Sequence, residues 1–232
     1  MGTKAATMET VAARIYGTIK EQIIEGRYAP GARITEQNVA AEFSTSRTPV
    51  REAMRQLVAD GFARFKPNSG TVVREWTAAE MHQIFELRLI IESEITGHAA
   101  ERISVEQVAQ LVRIQDELEA NGPDVSRENT LRIGRLNRDF HRIISEASHN
   151  ERLVATLASA IEAPIVQQTF RRYTVPQLAR SFNHHRELID ALSAHDAAWA
   201  RSVMSSHIHS AKHTLLGSIT HAANERARPT HD

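Results

Sequence analysis

Ser46-Arg47-Thr48-Pro49-Val50-Arg51-Glu52-Ala53-Met54-Arg55 is the stretch from which the fold can be read. Hydroxyl side chains open it as helix N-cap residues do, and Pro49 falls in the first turn, where a missing N–H costs nothing. Arg47, Arg51 and Arg55 then recur at helical spacing beside an apolar stripe of Val50, Ala53, Met54 and Leu57. The pattern predicts a helix packed by one face, with arginines and small hydroxyls at its exposed N-terminal end. A helix of that kind suits a DNA major groove. An ordinary surface helix with scattered arginines is the competing reading, and the flanking residues weigh against it.

Upstream, Ile15, Ile19 and Ile23 share one helical face, and Gly26 with Pro30-Gly31 stops that helix and turns the chain. Thr35 caps a short second helix carrying Val39, Ala40 and Phe43, and Ser44-Thr45 makes a tight turn into the arginine helix. Downstream, Gly61 ends the third helix. The runs Phe62-Ala63-Arg64-Phe65 and Thr71-Val72-Val73 flank Lys66-Pro67-Asn68-Ser69-Gly70, which predicts a β-hairpin. Helix, helix-turn-helix and hairpin together make a winged helix-turn-helix over residues 9–76.

Residues 11–76 resemble the DNA-binding domain of the GntR family of bacterial transcription regulators. The resemblance is carried by Tyr16, Ile19, Ile23, Gly26 and Pro30-Gly31, by Glu36 and Ala40, and by Ser46 through Ala53. It continues through Leu57 and Gly61 to Pro67, Gly70 and Val72. Ser44-Thr45 departs from it, because the family has Gly-Val in that turn; serine fits there at modest cost. The resemblance implies a double-stranded operator read by a homodimer, with Arg33, Ser46, Arg47, Thr48, Arg51, Lys66, Asn68, Ser69 and Gly70 as the DNA-contacting set.

The whole chain of 232 residues has zero formal net charge, which by itself argues against a nucleic-acid binder. Division at residue 76 changes that: residues 1–76 hold 11 Lys+Arg against 8 Asp+Glu (+3), and residues 77–232 hold 17 against 20 (−3). There is no cysteine, hence no disulfide framework and no thiolate chemistry. No long apolar span or signal-peptide pattern occurs, so the expectation is a cytoplasmic protein without membrane contact.

From Thr77 the character changes. Four glycines and four prolines occur in 156 residues, and the apolar spacing is helical throughout, predicting an all-α bundle over 77–221. The spacing predicts about six helices, near 78–101, 104–120, 126–148, 150–172, 175–194 and 196–221. Pro164 should kink the fourth of these, and 222–232 read as a loose tail. The expected fold class is mainly α.

All 12 histidines follow residue 76. Asn137 and His141 share a helix face, and His185 and His207 fall on the last two long helices. Three histidines and an oxygen donor from separate helices can hold a divalent metal, zinc or nickel by ligand type. His209 and His213 form an equally well-spaced pair on one helix. Arg88 lies in an apolar stretch, so burial is expected; its partner is either Glu92 at i+4 or a small carboxylate.

Residues 77–221 also resemble the FadR-type C-terminal ligand-binding domain of the FCD class. The matching stretches are Glu86-Leu87-Arg88 with Glu92, Asn137 through His141, His185 through Leu192, and Ala200, Met204 and His207. The resemblance implies His141, His185 and His207 as metal ligands, with Asn137 where metal-binding members have Asp or Asn. It also tips Arg88 toward contact with a small organic acid effector.

An enzyme is not expected. Lys212 is the one lysine after residue 76, which leaves no candidate for a pyridoxal-phosphate domain, and no general base recurs near the histidines. The expectation is a ligand-responsive transcription regulator, a repressor released by a small organic acid. A metal-dependent sensor and an architectural DNA-binding protein without an organic effector are the alternatives.

Overall fold

The computed structural model describes residues 10–120, 122–160 and 172–226, and falls into two compact units that divide between Trp76 and Thr77.

The first unit opens with α1 (Val11–Ile24), whose N-cap Thr10 accepts from the Ala13 amide at 3.1 Å. Its isoleucines 15, 19 and 23 are buried as one stripe. After β1 (Arg33–Ile34), Thr35 caps α2 (Glu36–Glu42) through the Asn38 amide. The turn into α3 (Arg47–Ala59) passes through Ser44, which takes φ +49°, the left-handed region that glycine occupies without cost. The α3 stripe of Val50, Ala53, Met54 and Leu57 meets α1 in one core with Ile34, Phe62 and Val73. Leu57 is fully buried, and truncation to alanine there would cost about 2–5 kcal/mol.

The expected hairpin is present as β2 (Ala63–Lys66) and β3 (Gly70–Val73), antiparallel, with Phe65 opposite Thr71 and Lys66 opposite Gly70. Its turn places Asn68 and Gly70 at positive φ. The sheet has a third strand that the sequence reading omitted: β1 pairs with β3, Arg33 opposite Val72, giving the order β1-β3-β2. A two-residue strand carries too little periodicity to be seen in sequence.

The second unit contains α4 (Ala78–Arg102), α5 (Val105–Glu119), α6 (Arg127–Ala147), α7 (Glu151–Ala160), α8 (Val175–Ser193) and α9 (Ala197–Arg226). Capping boxes start α4 at Thr77/Glu80, α5 at Ser104/Gln107 and α8 at Thr174/Gln177. The long α4 packs against α6, α7, α8 and α9, while α5 packs against α6 and α8. The protein is therefore mainly α, with a winged N-terminal unit, as expected. α9 continues to Arg226, five residues past the expected 221, so the stretch 222–226 is helix and not tail. The far part of the helix expected over 150–172, with the kink at Pro164, lies outside the described residues. No helix among the described residues is long and apolar enough to cross a membrane.

Candidate functional site

In the first unit, packing of α3 by its apolar stripe determines what remains outside. Ser46, Arg47, Thr48, Arg51 and Arg55 are all exposed. Ser46 occupies the N-cap position, yet its hydroxyl makes no capping hydrogen bond and stays available to an external group. Arg51 is engaged: its Nε donates to Glu36 Oε2 at 2.9 Å, linking α3 to α2 on the surface. Such an exposed pair contributes little to stability. On the wing, Lys66 and Asn68 are exposed, Ser69 and Gly70 half-buried; Arg33 is exposed on β1. The space around Gly70 is open, with no atom within 4 Å of a would-be Cβ, so its positive φ and not crowding is what calls for glycine.

In the second unit, α6, α8 and α9 bring His141, His185 and His207 together, with one ring nitrogen from each within 4.8 Å of the others. His185 and His207 are buried, and Phe140 stacks on the His185 ring at 4.2 Å and 8°. Asn137, one turn before His141 on α6, is buried as well. Asn137 Oδ1, His141 Nε2, His185 Nε2 and His207 Nδ1 are all shielded from solvent, and none has a hydrogen-bond partner among the described residues. Buried polar atoms are normally paired, so four such atoms on neighbouring side chains call for a common partner. Three imidazole nitrogens and one amide oxygen are electron-pair donors of the type that ligates a divalent cation. Burial holds both His185 and His207 well below the usual imidazole pKa, which keeps their lone pairs free at neutral pH.

Around this cluster lie groups that the sequence reading gave no such role. Glu92 Oε2 stands 3.5 Å from His141 Nδ1, and Glu92 Oε1 accepts from Arg88 Nε at 2.6 Å. Burial opposes ionisation of Glu92, but the Arg88 guanidinium and His141 outweigh it and hold the pKa down at about 2. Arg88 is thus buried, as expected, and its Nε is paired with Glu92. Gln115 Oε1 lies 3.0 Å from His185 Nδ1. Its signal in the sequence is a polar residue on the buried Leu111–Gln115–Leu118 stripe of α5. His184 is a further neighbour, its ring 5.9 Å from His207, its pKa lowered by burial and its Nδ1 without a partner among the described residues. The alternative pair His209 and His213 is exposed on α9 and forms no part of the cluster.

Residues 83–210 match the FCD domain profile, and residues 11–73 match that of the bacterial regulatory proteins, gntR family. The HTH-type transcriptional regulator YdhC of Bacillus subtilis is 31% identical over 143 residues, which span 60% of this chain and 62% of that protein. The probable D-xylose utilization operon transcriptional repressor of Paenarthrobacter nicotinovorans is 30% identical over 209 residues, 89% of each chain. Among solved structures, Escherichia coli McbR/YncC superposes with a TM-score of 0.69 at 20% identity, covering 95% of this chain and all of that one.

Proposed function

Since this chain belongs to the GntR family and carries an FCD domain, we propose that it is a ligand-responsive transcription repressor, released from its operator by a small organic acid and acting in the cytoplasm as a homodimer. The observation that carries the DNA-binding part is the exposed Ser46-Arg47-Thr48 end of a helix whose other face is locked into a core. Two such helices, one from each subunit, enter successive major grooves of a pseudo-palindromic operator. Arg47 and Arg51 address guanine edges or phosphates, Arg51 by exchanging Glu36 for the DNA. Ser46 and Thr48 bond phosphates or bases, while Lys66, Asn68, Ser69 and Gly70 follow the backbone from the wing, with Arg33 beside them on β1.

Asn137, His141, His185 and His207 hold a divalent metal in this proposal, zinc or nickel by donor type. The four unpartnered buried atoms support it. When bound, the metal supplies a Lewis-acidic anchor for an effector carboxylate. Asn137 contributes a neutral oxygen where a carboxylate would bind more strongly. Glu92 orients His141, and Arg88 keeps Glu92 ionised. Arg88 also serves the effector through its remaining guanidinium nitrogens, since Glu92 engages Nε. A ligand that ties helices together in one arrangement and not the other has the differential affinity that a switch requires.

The test is selection of binding sites from random duplexes, followed by titration of the selected site at fixed salt with the parent and Arg47→Ala proteins. Equal affinity of both proteins for the selected site overturns the DNA-reading assignment. A thermal-shift screen of metal-loaded protein against small carboxylates tests the effector class, because a ligand of the folded state raises the midpoint by mass action. No shift at millimolar concentration removes it.

A further inference from the structure

From the hydrogen bonds around Gln115 we infer that this side chain is a positioning residue that sets the tautomer of His185, directing its Nε2 lone pair toward the cluster; this rests on the metal reading just proposed.

The inference follows from which groups can only accept. The Gln115 amide nitrogen donates to Glu119 Oε1 at 2.6 Å and to the Phe182 carbonyl at 3.4 Å. A carboxylate and a carbonyl have no proton to give, so the amide orientation is settled: Nε2 faces those two and Oε1 faces His185. The Gln115 oxygen is itself only an acceptor and lies 3.0 Å from His185 Nδ1. The proton must therefore sit on Nδ1, which leaves Nε2 as the unprotonated nitrogen. That Nε2 is one of the buried atoms with no partner among the described residues.

The arrangement is anchored from outside. Arg186 donates to Glu119 from Nε at 3.0 Å and from Nη2 at 2.7 Å, and Nη2 also reaches Asp116 at 2.6 Å. Arg186 follows His185 directly on α8, while Asp116 and Glu119 follow Gln115 by one and four residues on α5. The ion pair thus holds Glu119 where it can orient the amide. On α4, Glu92 plays the matching part for His141 Nδ1, 3.5 Å away, with a carboxylate in place of an amide. A partner on the second ring nitrogen is the usual way a protein orients a metal-ligating histidine, and its loss typically weakens affinity about 10- to 100-fold.

The experiment records the His185 ring in metal-free, nitrogen-15-labelled protein by long-range nitrogen–proton correlation, then titrates zinc and nickel by competition with a chelating dye. Parent protein should show the Nδ1–H tautomer before any metal is added. Gln115→Leu should lose that preference and bind metal about 10- to 100-fold more weakly. The conservative variant Gln115→Glu should keep the Nδ1–H tautomer, since one carboxyl oxygen still accepts from Nδ1 and the other, protonated, donates to Glu119. An Nε2–H tautomer in the parent, or undiminished metal affinity in folded Gln115→Leu, overturns the inference. If Gln115→Leu does not fold, Gln115→Glu decides: an Nε2–H tautomer there overturns it equally. Nδ1–H in a parent protein that binds neither metal supports the tautomer assignment and instead refutes the metal reading beneath it.

Discussion

Arg88 and Glu92 form a buried ion pair along one face of α4, with Nε and Oε1 2.6 Å apart. Both side chains are nearly inaccessible to solvent, and the second carboxylate oxygen is turned toward His141. Neither charge has water to fall back on, so each requires the other.

Removal of one member should be costly. Arg88→Ala leaves a buried carboxylate uncompensated and is expected to lower stability by about 3–5 kcal/mol. Joint replacement of Arg88 and Glu92 by leucines should cost less than Arg88→Ala alone, because no charge is then stranded. Urea unfolding of the two variants checks this, and a double replacement as damaging as the single one would show that the pair does not act as a unit.

On the helix proposed to read DNA, Arg47→Ala should weaken binding to a selected site by about 1–3 kcal/mol if its guanidinium forks onto a base. Lys66→Ala should weaken all sequences alike and reduce the slope of log affinity against log salt by about 1. Fluorescence anisotropy over a salt series separates the two effects.

Metal should bridge α6, α8 and α9, so protein stripped with a chelator should melt at a lower temperature than protein reloaded with zinc or nickel. His185→Ala should abolish the difference, whereas His209→Ala and His213→Ala should leave it intact. Calorimetric scans with elemental analysis settle the point, and a chelator without effect on metal-containing parent protein would count against a ligand role.

The buried histidines give the metal-free protein a defined pH response. Burial lowers the folded pKa of His185 and His207 well below 6.5. Below about pH 6.5 the unfolded chain takes up protons that the folded chain refuses, so stability is complete above that pH and falls as pH drops toward the folded values. The slope approaches about 1.4 kcal/mol per pH unit for each histidine. Glu92, held at about 2, adds a loss in the same direction between its ordinary value near 4.5 and that point. Urea unfolding from pH 8 to pH 5 should show the histidine window, and a His207→Gln variant should show a shallower one.

The inter-helix turn offers a small gain. Ser44 sits at φ +49°, where a Cβ is disfavoured and glycine is not. Ser44→Gly should stabilise by at most about 1 kcal/mol, since glycine also costs more entropy to order. Thermal melting of the variant measures the balance, with unchanged DNA affinity expected.

Sequence alone determined what depends on near neighbours in the chain. The stripes of α1 and α3, the Thr35 cap, and the hairpin with its turn through Asn68 and Gly70 are all written within a few residues, because helix faces and caps repeat over one turn and strands alternate by twos. Asn137 and His141 were legible as a pair for the same reason. Tertiary structure decided everything that depended on which faces meet. It set Arg88 against Glu92 with both side chains buried, which spacing alone did not require. It separated His185 and His207 from the equally well-spaced His209 and His213 by burying one set and exposing the other. It also assigned Gln115 to His185, a pairing between α5 and α8 that no local pattern encodes. A side chain's partner across helices is set by how the helices pack, and packing is the sum of many apolar contacts distributed along the whole chain.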